Sequence, residues 1–203
     1  MKVIGLTGPS GAGKSLVAEI LASYGIPVIN ADEVYHDILS RGDACTEELA
    51  DAFGENILDA GGLVCRAALA DAVFGKPNTP ALLHTLNTIT HKYVMSEIKK
   101  RLQQCRKASN RAAVLDAPLL FEANAHLECD VVIGVLASYQ KRLSRILSRD
   151  HLTPEAAEKR LAAGKDDDFY RTRCDHILIN NDDAAELKKK IEQLLIETGV
   201  GID

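Results

Sequence analysis

Gly8-Pro9-Ser10-Gly11-Ala12-Gly13-Lys14-Ser15 is the stretch on which the rest of this chain is read. It satisfies G-x-x-x-x-G-K-[ST] at every fixed position. The apolar run Val3 to Leu6 before it predicts a strand. Leu16, Val17, Ile20, Leu21 and Tyr24 after it recur on one face and predict a helix from Ser15 to Tyr24, with Gly25 as its stop. Strand, glycine loop and helix in that order suit a phosphate cradle. Glycines let successive N–H groups turn inward toward an anion, and the helix N-terminus adds partial positive charge. Lys14 then supplies a full charge to the β- and γ-phosphates, and the Ser15 hydroxyl is available to Mg²⁺.

Working outward, further short apolar runs predict strands at Pro27 to Ile29, Ala112 to Leu115, Val131 to Val135 and Ile177 to Ile179. Between them lie helical patterns. The longest covers Pro80 to Cys105, and the last turns Leu187, Ile191, Leu194 and Leu195 inward. Alternating strands and helices predict an α/β fold with a parallel sheet. The rhythm breaks between Ile29 and Ala112, where only helical pattern is found; these helices are expected beside the sheet, walling a substrate cleft. Residues Arg142 to Arg173, rich in Arg, Lys and Asp, are expected to form a lid.

Composition narrows the function classes. Over 203 residues, 46% hydrophobic and 26% charged residues describe a globular chain able to bury a core. No Trp and 4% aromatics argue against a stacking single-strand binder, and a net charge of −5 argues against a generic nucleic-acid binder. No run is long enough to cross a bilayer. The five cysteines are scattered and never spaced as CxxC, so neither a disulfide framework nor a zinc site is expected, and a reducing cytoplasm is the expected location. The guanine-reading N-K-x-D pattern is absent. A small-molecule kinase is therefore favoured over a GTPase switch.

Several residues bear on the acceptor. Asp32 closes Ile29-Asn30-Ala31-Asp32 after the second strand, and strand C-terminal ends face the ligand crevice in open parallel sheets. Its carboxylate either orients an attacking hydroxyl and takes its proton or caps the helix Glu33 to Leu39. Asp116 ends the third strand and either holds a metal-bound water or steadies the turn before Pro118; Glu122 is open in the same way. Arg142, Arg145 and Arg149 fall at i, i+3 and i+7, on one helical face, as a phosphate clamp or a solvated basic surface. His91 on the long helix, Arg66 opening a short helix to Phe74, and Asn180 ending the last strand each have a plain structural reading too.

Taken in order, these segments resemble the dephospho-coenzyme A kinase family. The resemblance runs through the glycine loop, Ile29 to Asp32, Arg66…Leu69…Val73-Phe74, Leu86-Asn87…His91, Pro118-Leu119-Leu120-Phe121-Glu122, Arg142/Arg145/Arg149-Asp150 and Asp175…Ile177…Asn180-Asn181. It implies transfer of the ATP γ-phosphoryl group to the ribose 3′-hydroxyl of dephospho-coenzyme A. It implies a P-loop kinase core with five parallel strands, a helical substrate-binding insert and a helical lid: core 1–58, 107–141 and 174–203, acceptor region 59–106 and lid 142–173. Catalytic roles go by resemblance to Asp32, Lys14 and Arg142. ATP binding goes to Gly8 through Ser15 with Leu16, Arg142, Arg145, Arg149 and Asn180. The acceptor goes to Thr7, Asp32, Arg66, His91, Pro118 and Leu119, and Mg²⁺ to Ser15 and, as an option, Asp116. The expected partners are ATP and dephospho-coenzyme A, with no nucleic acid or membrane, in a monomer or weak homo-oligomer. Another small-molecule P-loop kinase and a catalytically weak ATP-binding regulator are the alternatives. The chain departs from the family pattern at Asn30, usually Asp; at Lys92, usually Pro; and at Gly164, usually Gln.

Overall fold

The strand that runs into the glycine loop, β1 (Lys2–Thr7), is buried from Val3 onward. In the computed structural model, which describes residues 1–75 and 79–201, it occupies the middle of a five-stranded parallel sheet of order β2-β3-β1-β4-β5. The undescribed residues are Lys76, Pro77 and Asn78, within the expected acceptor region, and Ile202 and Asp203 at the end. The other strands are β2 (Val28–Asn30), β3 (Ala112–Asp116), β4 (Val131–Leu136) and β5 (His176–Ile179). Helices follow in chain order: α1 (Lys14–Ser23), α2 (Ala31–Leu39), α3 (Ala44–Phe53), α4 (Arg66–Phe74), α5 (Thr79–Lys107), α6 (Tyr139–Asp150), α7 (Pro154–Ala162), α8 (Asp167–Arg171) and α9 (Ala184–Glu197). All five expected strands are present, each within two residues of its expected ends. No helix among the described residues is long and apolar enough to cross a membrane.

The chain divides into two compact units, Met1–Ile29 with Leu102–Asp203, and Asn30–Arg101. The first contains the sheet. Side chains alternate across it with the two-residue period of a strand. Ile4, Leu6, Val114, Val131, Ile133, Val135 and Leu178 face one way, into a core completed by Val17 and Leu21 of α1 and Leu187, Ile191 and Leu195 of α9. Truncating a fully buried member such as Leu21 would cost about 2–5 kcal/mol. On the other face Gly5 and Gly134 leave room for thiols. A Cβ on Gly5 would lie 2.8 Å from the Cys129 sulfur, and one on Gly134 would lie 2.9 Å from that of Cys174. Each cysteine is followed by an aspartate that extends the ladder: the Asp130 carboxylate accepts from Val3 N–H at 2.7 Å, and Asp175 from Val132 N–H at 2.7 Å. The Cys-Asp pair before β4 is thus used again before β5. Burial pushes both thiols up, Cys129 to about 12 and Cys174 to about 11; all five cysteines are unpaired.

In the second unit α2, α3 and α4 bury Val34, Ile38, Leu49, Leu69 and Val73. A four-member ion network joins α2 to α5: Arg101 bonds Asp37 at 2.5 Å and Glu97 at 3.2 Å, and Arg41 bonds Glu97 at 3.2 Å. One antiparallel bridge, Leu58 with Val64, closes a turn in which the Asp59 carboxylate accepts from Gly61 and Leu63 N–H. The unit boundaries fall at Asn30 and Arg101, whereas the sequence placed them at 58 and 106. Residues 31–58 group with the helices because Val34, Ile38, Cys45 and Leu49 are buried there.

The expected lid is three helices. Ile146 of α6 and Ala157 and Leu161 of α7 form a small core of their own, flanked by Leu143, Leu147 and Leu152. Asp150 locks the turn between α6 and α7: Arg149 bonds both of its oxygens, at 2.7 and 2.9 Å, and Arg160 reaches it at 2.8 Å.

Candidate active site

The site in the first unit begins where β1 stops. Register puts Leu6 opposite Asp116, so the last residue of β3 stands at the mouth of the glycine loop. There the Asp116 carboxylate pairs with the Lys14 ammonium, both largely shielded from solvent. Thr7, fully buried, donates its hydroxyl to Pro118 C=O at 3.3 Å and ties the end of β1 to the turn after β3.

The loop itself is held from outside. Arg142 Nε donates to Ser10 C=O at 3.0 Å. One Arg145 nitrogen donates to Gly11 C=O at 3.3 Å and to Ala12 C=O at 3.0 Å. Asn180 Nδ2 donates to Ala12 C=O at 2.8 Å. In a planar trans peptide the N–H points opposite to the C=O. Fixing the carbonyls of Ser10, Gly11 and Ala12 outward therefore turns the N–H groups of Gly11 and Gly13 inward, as an anion nest requires, while the Ala12 N–H closes the turn on Pro9 C=O at 3.1 Å. The glycines make this close fit possible. Gly13 has φ 90°, and a Cβ there would fall 2.1 Å from Asn180 Nδ2; a Cβ on Gly11, at φ 78°, would fall 2.6 Å from Arg142 C=O.

Arg145 and Asn180 also brace each other. The second guanidinium nitrogen donates to Asn180 C=O at 3.0 Å and to its side-chain oxygen at 3.3 Å. Asn180 is 2% exposed, and both ends of its amide are engaged here. Arg142 is 8% exposed, and its nearest carboxylate, Asp167 of α8, is 3.7 Å away. A buried guanidinium so thinly neutralised favours an anion beside it. Arg149, the third arginine of the expected clamp, bonds Asp150, which holds its guanidinium pKa above the ordinary arginine value. It also lines a cleft of about 440 Å³ with Gly11, Gly13, Ser15, Ser144, Arg145 and Ser148. Sequence reading missed Ser144, Ser148 and Asp167. The two serines were findable, since they repeat at i, i+4 one residue before Arg145 and Arg149; Asp167 was not, because only the α6–α8 packing brings it near Arg142.

Asp32, Arg66, His91 and Lys92 belong to the second unit, and Leu16, Leu119 and Gly164 to the first. Asp32 is exposed in the first turn of α2, and it is not that helix's cap. Asn30 is: its side-chain oxygen accepts from Asp32 N–H at 2.9 Å and Glu33 N–H at 3.2 Å. Asparagine caps as well as aspartate, so the departure from the family's first carboxylate keeps the helix start. The Asp32 carboxylate accepts no hydrogen bond among the described residues. Arg66 is the exposed first residue of α4. His91 is half-buried, and desolvation lowers its pKa. Lys92, where the family has Pro, pairs with Glu48 at 2.5 Å on the exposed side of α5. Gly164 ends α7 in a turn, its N–H on Leu161 C=O at 3.3 Å. Leu119 is exposed and Leu16 partly so.

A family model described as Dephospho-CoA kinase matches residues 2–186. The chain belongs to the dephospho-CoA kinase family. A dephospho-CoA kinase from Corynebacterium glutamicum is 34% identical over 194 residues, 96% of each chain. The solved dephospho-CoA kinase from Campylobacter jejuni superposes with a TM-score of 0.72 at 28% identity over 98% of each chain. A shikimate kinase from Acinetobacter baumannii, at 21% identity, TM-score 0.56 and coverage of 99% of this chain and 96% of that one, shares the fold. Family membership favours a dephospho-CoA acceptor over a shikimate-like one and an enzyme over a regulator.

Proposed function

We propose that the chain carries out its family's reaction, moving the γ-phosphoryl group of ATP to the ribose 3′-hydroxyl of dephospho-coenzyme A, with the residues described above in stated roles. The observation that supports the reading is the row of three outward-held carbonyls, Ser10, Gly11 and Ala12, which turns the Gly11 and Gly13 N–H groups toward the inside of the loop. The nest and Lys14 take the β- and γ-phosphates; as they bind, the Lys14 ammonium is shared between phosphate oxygen and Asp116. The nucleoside end of ATP takes the cleft beside α6. Arg142 faces the transferred group, whose charge is spread over three oxygens in a loose transition state. Asp32 orients the acceptor hydroxyl and takes its proton as the new P–O bond forms and the bond to ADP breaks. Arg66 and His91 act on the acceptor, as do Thr7, Pro118 and Leu119.

Mg²⁺ fits the donors present. Ser15 is exposed at the start of α1, its hydroxyl makes no hydrogen bond among the described residues, and Asp116 adds hard carboxylate oxygen. No group of three or more His, Cys, Asp or Glu suited to a metal exists among the described residues. A magnesium ion would accordingly be held by Ser15 and phosphate oxygens with water, as this metal prefers. When bound it supplies charge neutralisation at those oxygens. Incubation with ATP, Mg²⁺ and dephospho-coenzyme A, with ADP release coupled to a spectroscopic readout and the product weighed by mass spectrometry, tests the reading. Coenzyme A is the expected product; ADP release without it, or turnover of another acceptor only, overturns the assignment.

A further inference from the structure

ADP and ATP carry the same adenosine and the same ribose 3′-hydroxyl as dephospho-coenzyme A. They differ from it only in what the 5′-diphosphate bears. Contacts to base, sugar and inner phosphate therefore cannot select the acceptor from adenine nucleotides, since specificity is a difference of affinities. The pantetheine arm has to be read somewhere.

The helical unit contains a cavity of about 460 Å³ lined by Tyr35 and Leu39 of α2, Arg66, Leu69 and Phe74 of α4, and Leu86 of α5. Its polar groups are the Arg66 guanidinium, the Tyr35 phenol and the His36 imidazole, and the rest of the wall is apolar. Arg66 pairs with no carboxylate among the described residues. The Tyr35 hydroxyl, half-buried, makes no hydrogen bond there either, and burial raises its pKa, so it stays a donor. Phe74 is 58% exposed, a large aromatic surface left uncovered. Asp32, Tyr35, His36 and Leu39 recur at i, i+3, i+4 and i+7, on one face of α2. The cavity wall on this helix therefore starts one turn from Asp32 and extends to about 10 Å from it along the axis.

We infer that this cavity seats the pantetheine arm and so selects dephospho-coenzyme A over adenine nucleotides. The arm's chemistry suits the lining. Its geminal methyl groups take the Leu39, Leu69, Phe74 and Leu86 surfaces, an amide carbonyl accepts from the Tyr35 hydroxyl, and the diphosphate meets Arg66. The inference rests on dephospho-coenzyme A being the acceptor.

Two acceptors test it: dephospho-coenzyme A and the β-methyl ester of ADP, which keeps the ribose and both phosphates and lacks the arm. The wild-type chain is expected to prefer the first strongly. Ala70 and Ala67 are exposed residues of α4 that line the same cavity, so Ala70→Trp fills it without touching the core, and Ala67→Phe does the same from the neighbouring position. Either variant should raise KM for dephospho-coenzyme A about tenfold or more while kcat/KM for the methyl ester stays at the wild-type value. Arg66→Gln should raise KM for both acceptors. Wild-type turnover of neither acceptor defeats the assigned reaction. Wild-type preference for dephospho-coenzyme A that survives both filling variants, or variants that impair both acceptors alike, defeats the cavity assignment alone.

Discussion

The phosphate loop and the acceptor helices solve opposite problems. Around the loop nearly every polar group already has a protein partner: Lys14 has Asp116, Arg142 has Ser10, and Arg145 and Asn180 have Gly11, Ala12 and each other. In the helical unit the residues aimed at chemistry are left without partners. The Asp32 carboxylate, the Arg66 guanidinium and the Tyr35 hydroxyl make no hydrogen bond among the described residues. A phosphate chain is the same in every turnover and is best met by fixed dipoles that need no reorganisation. An acceptor brings its own donors and acceptors, and residues committed to one another would have to be separated to receive it.

The largest expected effects break this contrast at its two ends. Lys14→Ala removes the only full positive charge within the loop and its ion pair with the buried Asp116 carboxylate. Turnover should fall about a thousandfold, with weaker ATP binding by calorimetry; wild-type values in both would remove Lys14 from its role. Asp32→Asn should cut kcat about a hundredfold or more and leave the ATP dissociation constant unchanged, because nothing in the loop depends on that carboxylate. Loss of ATP affinity in Asp32→Asn would mean that the two regions do not divide the work as described.

A smaller effect sharpens the first half of the comparison. Asn180→Ala removes the 2.8 Å bond to Ala12 C=O and one acceptor of Arg145. The Ala12–Gly13 peptide is then held by Arg145 alone. KM for ATP should rise about tenfold, with kcat for saturated enzyme changing less. Asn180→Asp keeps an acceptor for Arg145 and loses the donor to Ala12, so it should resemble Asn180→Ala if the loop bond is what matters. Recovery of wild-type KM in Asn180→Asp would show that the Arg145 bond matters instead.

The sheet and the loop were legible because their signals are local. Continuous apolar runs mark β1, β3 and β4, which are buried along nearly their whole length, and the glycine spacing marks the nest. The identity of the braces was not. Arg142 and Arg145 were visible as a basic face at helical spacing, but that they hold carbonyls of residues more than a hundred and thirty positions earlier depends on α6 packing against the loop. Asn180 was expected at ATP by resemblance, and nothing in the sequence showed that both ends of its amide engage the loop and Arg145. On the acceptor side, the Ile29 to Asp32 segment was read correctly as the end of β2, and of the two readings left open for Asp32 the capping one falls to Asn30, two residues earlier and equally able to cap. The unit boundary at Asn30 was invisible, since the burial of Val34, Ile38 and Leu49 among helices looks, in sequence, like burial against a sheet.

The smallest effect concerns His91, whose ring is half-buried on α5 and whose pKa burial lowers from its ordinary 6.5. A histidine with a lowered folded pKa takes up its proton first in the unfolded chain, so stability is complete above about 6.5 and falls as pH drops from there through the lowered value. The carboxyls of Glu48, Glu97 and Asp150 behave the other way. Lys92, Arg41 and Arg149, hydrogen-bonded to them, hold their pKa values below 4.5, 4.5 and 3.8 respectively, so their contribution is lost only as pH falls through those lowered values. The two windows do not overlap at pH 5.5. Between pH 7.5 and 5.5 the wild-type melting temperature should drop about a degree further than that of His91→Gln, a small difference because the ring is partly solvated. Scanning calorimetry of both proteins across that range measures it. Equal slopes would mean that His91 titrates as in the unfolded chain and reaches the acceptor, if at all, as a solvated group, which would remove it from the set of residues held ready on the helical side.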